Sequence, residues 1–213
     1  MKLYADSADV DSVTRILEDG LISGVTTNPT ILHKSGYGTR DIPELHRRFL
    51  AAGAEEIFFQ ATGATREEMR AAAAAIRNLG SEVVVKIPAT AIGFRVAAEC
   101  ARDGIPVLMT AVYSVAQAVA SAAIGARYIA PYFGRLGDSG VDALDLIARM
   151  HRALEGSDTH ALVASVRTPE VASDLALAGV RHITAHPSVL EAMLVDPTSD
   201  AAAAEFETVA TTS

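Results

Sequence analysis

Glycine punctuation constrains this chain more than any other feature. Gly20, Gly53, Gly80, Gly104, Gly125, Gly156 and Gly179 each close a helix-like segment, and a short apolar run begins a few residues later. Glycine suits the position just past a helix end because it enters the left-handed region with no Cβ clash. The runs are Gly24-Val-Thr-Thr-Asn28, Glu56-Ile-Phe-Phe-Gln-Ala-Thr62, Val83-Val-Val-Lys-Ile87, Val107-Leu-Met-Thr-Ala-Val112, Tyr128-Ile-Ala-Pro-Tyr-Phe133, His160-Ala-Leu-Val-Ala-Ser-Val166 and His182-Ile-Thr-Ala185. With the opening Leu3-Tyr-Ala-Asp6 they make eight predicted strands. They are rich in β-branched and apolar residues with little polar alternation, the pattern of strands covered on both faces in a parallel sheet.

Helix starts agree with this reading. Thr65-Arg-Glu-Glu68 and Asp41-Ile-Pro-Glu44 resemble capping boxes, and Asn28-Pro29, Thr168-Pro169 and His186-Pro187 place proline at a first helical position. The strand–helix–glycine unit recurs at roughly 26 residues, near the minimum of about 30 for a βαβ unit. Eight such units predict an α/β fold of the (β/α)8 TIM-barrel type, one domain over residues 1–213. A doubly wound open sheet would have fewer strands and a glycine-rich first turn, which Asp6-Ser-Ala-Asp9 does not provide. The tail, 199–213, reads as an extra C-terminal helix with Phe206 and Val209 spaced i, i+3. It is free to cover the barrel or to reach a neighbouring subunit.

Charge narrows the partners. A net charge of −8 gives no basic footprint for nucleic acid or an anionic membrane surface, so an anionic substrate must be held by local cations. The longest apolar region, 111–131, is broken by Ser114, Gln117, Ser121, Gly125 and Arg127, which suits a buried helix and strand better than a membrane span. Cys100 is the single cysteine, and the N-terminus shows no apolar h-region before Asp6. Both features fit a cytoplasmic protein.

In a barrel, alternate strand residues point inward and chemistry gathers at the carboxyl ends of the strands. The last inward position of each predicted strand is Asp6, Asn28, Gln60, Lys86, Thr110, Tyr132, Ser165 or His186. Two residues earlier on the same face stand Tyr4, Phe58, Val84, Leu108, Ala130 and Val163. Singly, each polar residue has a structural reading: Asp6 and Asn28 as N-caps, Gln60 and Thr110 as loop acceptors, Lys86 as a snorkelling side chain. Ser165, Arg135 and Arg167 read as ordinary loop residues on the same terms. Together, a polar ring above apolar strands is what a site needs and a core does not. His182 and His186 share a strand face, but no carboxylate or cysteine joins them at a metal-binding spacing, so neither metal nor other cofactor is expected.

Lys86 is the centre of that ring. The chain has three lysines (Lys2, Lys34 and Lys86) against fifteen arginines, and only Lys86 lies in an apolar strand. Burial disfavours its charged form and so frees the amine to attack a carbonyl. The resulting iminium is an electron sink beside which a C–C bond can break or form. Tyr132 is the candidate proton carrier, helped by Gln60 and Thr110, and such help is typically worth ~10²–10⁴-fold. Asp6 and Asn28 are placed to bind hydroxyls or assist carbinolamine formation. Arg135, Ser165 and Arg167, just past strands six and seven, can clamp a phosphate.

These residues resemble the transaldolase and fructose-6-phosphate aldolase family of class I aldolases. The motifs are Gly24-Val-Thr-Thr-Asn-Pro-Thr30 and Val84-Val-Lys-Ile-Pro-Ala-Thr90, with Thr110-Ala-Val-Tyr113, Ala130-Pro-Tyr-Phe-Gly-Arg135 and Ala164-Ser-Val-Arg-Thr-Pro169. The resemblance implies that Lys86 forms the imine, that Asp6, Asn28 and Thr27 contact the donor, and that Arg135, Ser165 and Arg167 bind the acceptor phosphate. Gln60 with Tyr132 is similar to the aldolase branch, which cleaves fructose 6-phosphate at C3–C4 into dihydroxyacetone and glyceraldehyde 3-phosphate. Gly134-Arg-Leu-Gly-Asp138 looks more like the transaldolase branch, which moves a dihydroxyacetone unit between sugar phosphates. A sugar-phosphate-binding barrel without turnover is the remote alternative. The resemblance also implies a homo-oligomer, pentameric or a decamer of two pentamers.

Overall fold

The computed structural model describes residues 1–212 and closes eight parallel strands into a barrel in sequential order. The strands are β1 (Lys2–Asp6), β2 (Gly24–Thr26), β3 (Glu56–Gln60), β4 (Val83–Pro88), β5 (Val107–Val112), β6 (Tyr128–Pro131), β7 (His160–Val166) and β8 (His182–Ala185). Around them run α1 (Val10–Glu18), α2 (Pro29–Lys34), α3 (Ile42–Ala51), α4 (Arg66–Arg77), α5 (Ala91–Arg102) and α6 (Val115–Ala123). The ring continues with α7 (Phe133–Asp138), α8 (Ala143–Ala153), α9 (Pro169–Leu177) and α10 (Pro187–Ala192). Helix α11 (Pro197–Thr212) is the expected extra C-terminal helix, and it begins two residues before the expected start at 199.

Local chemistry sets the boundaries. Asn28, Thr65, Thr90, Ser114, Asp142 and Thr168 each cap a helix with a side-chain oxygen, and Thr65 with Glu68 forms the anticipated capping box. The box expected at Asp41–Glu44 does not form. Asp41 ends a short 3₁₀ turn, Thr39–Asp41, and its carboxylate accepts from the Gly38 N–H at 2.7 Å instead. Six of the seven helix-closing glycines take positive φ; Gly80, two residues past the Asn78 cap of α4, does not. Gly24 is required for another reason: a Cβ there would lie 1.9 Å from the Glu56 carbonyl oxygen of β3.

The strand faces divide the core in two. Val25, Ile57, Val85, Met109, Ile129 and Ile183 face the helices, while Tyr4, Phe58, Val84, Leu108, Tyr128 and Leu162 fill the barrel. Tyr4 and Tyr128 meet Phe58 edge-on at 5.4 and 5.6 Å, contacts worth about 0.5–1.5 kcal/mol each beyond area burial. The amino-terminal end is closed by Glu56, buried yet satisfied. It accepts from Tyr4 at 2.6 Å and Tyr128 at 3.0 Å, and pairs with Arg127 at 2.9 Å. Burial and that carboxylate push the Tyr128 phenol up to about 12.

On β7 the expected parity is wrong. Val163 belongs to the outer layer, and Leu162 and Ala164 point inward. The register of β7 against β8 shifts between Val163 and Val166, where Ser165 adopts φ 59°. A matching shift interrupts β5 against β6 between Thr110 and Val112, with Ala111 at φ 57°. Among the described residues no helix is long and apolar enough to cross a membrane.

Candidate active site

The carboxyl ends of β1, β2, β4, β6 and β7 surround a cavity of about 150 Å³ whose walls include Asp6, Asn28, Lys86, Tyr132, Arg135 and Ser165. Lys86 enters it from β4, between Val85 and Ile87, which face the helices. The residue is only 2 % exposed. Among the described residues no side chain accepts a hydrogen bond from its amine, yet the amine is not walled off, because its tip opens on the cavity. Burial drives its pKa below the usual lysine range, and the Asp6 carboxylate offsets part of that effect.

Asp6 is not the N-cap of α1, a role taken by Asp9. Its carboxylate accepts from Thr26 at 2.7 Å, and Thr26 in turn shares a 2.7 Å hydrogen bond with Thr184 of β8. Strand alternation from Gly24 through Thr26 gives the signal by which this buried support could have been found. Asn28 both caps α2, its Oδ1 accepting from Ile31 at 2.9 Å, and lines the cavity. Thr27 faces away, donating to the Phe58 carbonyl at 3.0 Å, so it holds β2 to β3 and does not line the cavity.

Across the cavity Tyr132 continues β6 as a single bridge to Ala164. Its hydroxyl is 2.7 Å from the Thr110 hydroxyl, which sits at the inward end of β5 just before the register shift. Burial raises the Tyr132 pKa, with the Thr110 hydrogen bond acting in the opposite sense, so the group stands as a neutral phenol. The Arg135 guanidinium lies over the Tyr132 ring at 4.9 Å from its centroid, a cation–π arrangement.

Three expected members stand elsewhere. Gln60 pairs in register with Lys86 but lines the adjoining cavity with Thr39, Ile42, Pro43 and Thr62. His186 lies past the end of β8, exposed and turned to Ser188, where it caps α10, while His182 of β8 stacks on His160 at the opposite end of the barrel. Arg167 gives both terminal nitrogens to Asp138, at 2.8 and 2.6 Å. Its Nε and Cζ flank Gly134, where a Cβ would lie 2.7 and 2.8 Å from them and 2.8 Å from the Ser165 hydroxyl oxygen. Gly134 thus keeps open the space between β7 and α7. Lys34, no member of the expected ring, lines the cavity from the end of α2 with Thr30 and Ile31, its i−4 and i−3 neighbours.

A (β/α)8 barrel with an amine buried at its carboxyl-terminal face, beside a carboxylate and a phenol, is the frame of a barrel enzyme. The chain belongs to the transaldolase/fructose-6-phosphate aldolase family, whose model matches residues 3–213. A probable transaldolase of Brucella anthropi is 34% identical over 202 residues, 94% of this chain and 92% of that one. One of Rhizobium meliloti is 33% identical with the same coverage. Family membership makes the chain an enzyme of transaldolase or aldolase type. The barrel itself is shared more widely. A 4-hydroxy-tetrahydrodipicolinate synthase from Methylacidiphilum fumariolicum SolV superposes with a TM-score of 0.65 at 15% identity, over 90% of this chain and 69% of that chain. Thiamine phosphate pyrophosphorylase from Pyrococcus furiosus gives 0.62 at 17%, over 89% and 87%. At such identities the likeness concerns the fold alone.

Proposed function

We propose that Lys86 forms a Schiff base with the C2 carbonyl of a ketose phosphate, and that the enzyme makes and breaks the C3–C4 bond of fructose 6-phosphate. The observation that carries this reading is the buried, unbonded Lys86 amine opening on a polar cavity beside Asp6. The amine adds to C2, water leaves, and the iminium accepts the C3–C4 electron pair as an enamine while glyceraldehyde 3-phosphate departs. Protonation of the enamine at C3 and hydrolysis then release dihydroxyacetone and restore Lys86. In cleavage Tyr132 gives its proton to the carbinolamine hydroxyl that leaves as water, and its phenolate then takes the C4 hydroxyl proton as the C3–C4 bond breaks; in bond formation the phenol returns that proton to the new C4 alkoxide. The hydrogen bond to Thr110 orients that hydroxyl. Asp6 and Asn28 serve the donor's hydroxyls, and Arg135 with Ser165 the phosphate, with Gln60 a neighbour of the ring and not a wall of it.

Transfer of the dihydroxyacetone unit to a second aldose phosphate is the other reading, favoured by the names of the curated relatives. Borohydride reduction in the presence of dihydroxyacetone or fructose 6-phosphate, followed by peptide mass analysis, tests the common step. Binding without an adduct on Lys86 would sink both. Turnover of fructose 6-phosphate with no added aldose marks the aldolase, and strict dependence on erythrose 4-phosphate marks the transaldolase.

Assembly with further copies of the chain is part of the proposal. Helix α11 buries none of its described residues, and Phe206 is 69% exposed, with Leu194 and Val195 just before the helix at 62% and 66%. This sixteen-residue helix, with the bare apolar residues that lead into it, is better stabilised against a neighbouring copy than in water. Light scattering on the full chain and on a chain ending at Asp196 reads the oligomer; equal masses would remove α11 from the interface.

A further inference from the structure

The amino-terminal end of the barrel holds a cavity of its own, opposite the end that carries Lys86 and used by no step of the chemistry above. Its volume is about 160 Å³, and its walls come from the end of α8, the loop between α8 and β7, and the first residues of β7 and β8. His151, His160, Arg181 and His182 all line it. His160 and His182 stack with centroids 5.2 Å apart, and Tyr128 meets His182 edge-on at 5.4 Å, so neighbouring rings hold both imidazoles in place. Gly179 leaves room for His151, because a Cβ there would lie 2.9 Å from its Nε2.

These four donors have no acceptor of their own. Among the described residues no side-chain hydrogen bond engages the three imidazoles, and no carboxylate pairs with Arg181. Glu56, on the barrel side, is already taken by Tyr4, Tyr128, Arg127 and Lys2. Glu155 is the one carboxylate in the cavity wall, and it is exposed. Three imidazoles could suggest a metal ion, but among the described residues no three His, Cys, Asp or Glu side chains are placed to hold one. Donors spread around a cavity suit an oxyanion, whose oxygens accept hydrogen bonds in several directions. At about 30 Å³ per water the space holds roughly five waters. A free tetrahedral oxyanion fits it, whereas a sugar phosphate would project from it.

We propose that this cavity binds a small inorganic dianion, of the shape and charge of phosphate, between Arg181 and the imidazoles of His151, His160 and His182. Binding takes up protons. Two features oppose the anion: Glu155, and the carboxyl end of α8, which carries roughly half a negative charge. Arg181 alone does not outweigh both, so protonated imidazoles complete the site. Left to themselves the groups resist that protonation. Burial and the neighbouring His160 hold the His182 pKa down at about 4, with Lys2 and the N-terminus acting in the same sense and Glu56 against them. A dianion reverses that balance by giving the stacked pair a shared counter-charge. Tyr4 and Tyr128, the other ionisable groups against these rings, stay neutral, because burial and Glu56 raise both phenols.

Sulfate is the probe, because it keeps two charges throughout the range in which imidazoles titrate. NMR of the six histidine rings in the full-length protein locates its binding. Saturable shifts are expected at His151, His160 and His182, and phosphate should compete for the same three signals. His46, paired with Glu82, should not move. His33 and His186, towards the other end of the barrel, report any binding at the catalytic mouth with an affinity of its own. Sulfate affinity should rise as pH falls from about 8 to 6, approaching tenfold per pH unit for each proton taken up. Arg181→Gln, a change at an exposed side chain, is expected to weaken sulfate by about tenfold or more, and Arg181→Lys to recover part of the loss. Shifts that grow without saturating, that fall equally on all six rings, or that follow one affinity across this pH range would overturn the proposal. Full affinity in Arg181→Gln would overturn it as well.

Discussion

Replacing Lys86 with methionine is expected to stabilise the protein, by an amount that grows as pH falls. The residue is 2 % exposed, and burial drives its pKa below 10.5 with Asp6 offsetting only part of the effect. In the unfolded chain the amine titrates near 10.4. Between the lowered native value and that point, the unfolded chain binds a proton that the native protein does not. Wild-type stability therefore rises with pH across this window, by up to about 1.4 kcal/mol per pH unit for one proton. Below the native value both forms carry the charge, and the whole cost of burying it is present. Methionine has similar reach and no charge, so the variant loses this dependence while distant titrating groups cancel in the difference. Urea unfolding of both proteins from pH 6 to 10 measures it, starting above the range in which carboxylates ordinarily titrate. With an m-value of about 2–3 kcal/mol per M, the midpoint advantage of the variant should shrink by roughly 0.5 M per pH unit inside the window. A difference that stays constant across that range, or a variant less stable than the wild type at pH 6, would refute the buried-amine argument.

Tyr132→Phe is expected to leave borohydride-trappable imine on Lys86 while slowing release of free dihydroxyacetone by ~10²–10⁴-fold; equal losses in both assays would contradict the proton-carrier role. At the other end of the barrel, burial and the neighbouring His160 lower the His182 pKa to about 4. The native ring is neutral where the unfolded one is already charged, so stability is lost as pH falls from 6.5 towards 4. His182→Phe should flatten that limb of the stability curve, and an unchanged limb would assign acid lability elsewhere. Ala111→Gly, a change that costs roughly 0.5–1 kcal/mol in an ordinary strand, is expected to be neutral or stabilising because it removes a left-handed penalty of about 1–2 kcal/mol. A thermal denaturation showing an ordinary loss would mean that φ 57° is unstrained there.

The barrel was legible because its signal is repeated and local. β5, β7 and β8 begin and end where their apolar runs do, since each is followed by a residue committed to the next cap or turn. β2 was read two residues too long for the same kind of reason. Asn28 looks like a strand end, but its side chain caps α2 and Pro29 starts the helix, so the chain has left the sheet by Thr27. Lys86, Asp6 and Tyr132 were legible because a regular strand fixes which side chains enter the barrel. Lys34 was not, because α2 is six residues long and its facing depends on how the cap turns the chain over the barrel mouth. The pairing of Arg167 with Asp138 joins residues 29 apart in sequence, and no local pattern announces it.

The one error of parity, at Val163 on β7, carries more meaning than the successes. Ala111 and Ser165 are the two non-glycine residues with positive φ among those described, and each sits at the register shift of its strand. Those strands, β5 and β7, are the two neighbours of β6. The sheet is therefore regular at the depth of Tyr128, while at the depth of Tyr132 it is broken between β5 and β6 and again between β7 and β8, with β6 and β7 still in register at Tyr132 and Ala164. One break follows immediately after Thr110, the partner of the Tyr132 hydroxyl, and the other turns Ser165 into the cavity. Strain of order 1–3 kcal/mol at each such residue is tolerated only where surrounding structure over-determines it. A sequence displays alternation but not the pairing that interrupts it, so the parity of β7 fails where its register shifts, while that of β5 holds because its shift comes only after Thr110. Two strands from β6, β4 runs unbroken through Lys86, and a buried amine needs that regularity: a bulge there would open its backbone to water and lessen the desolvation on which a free amine depends.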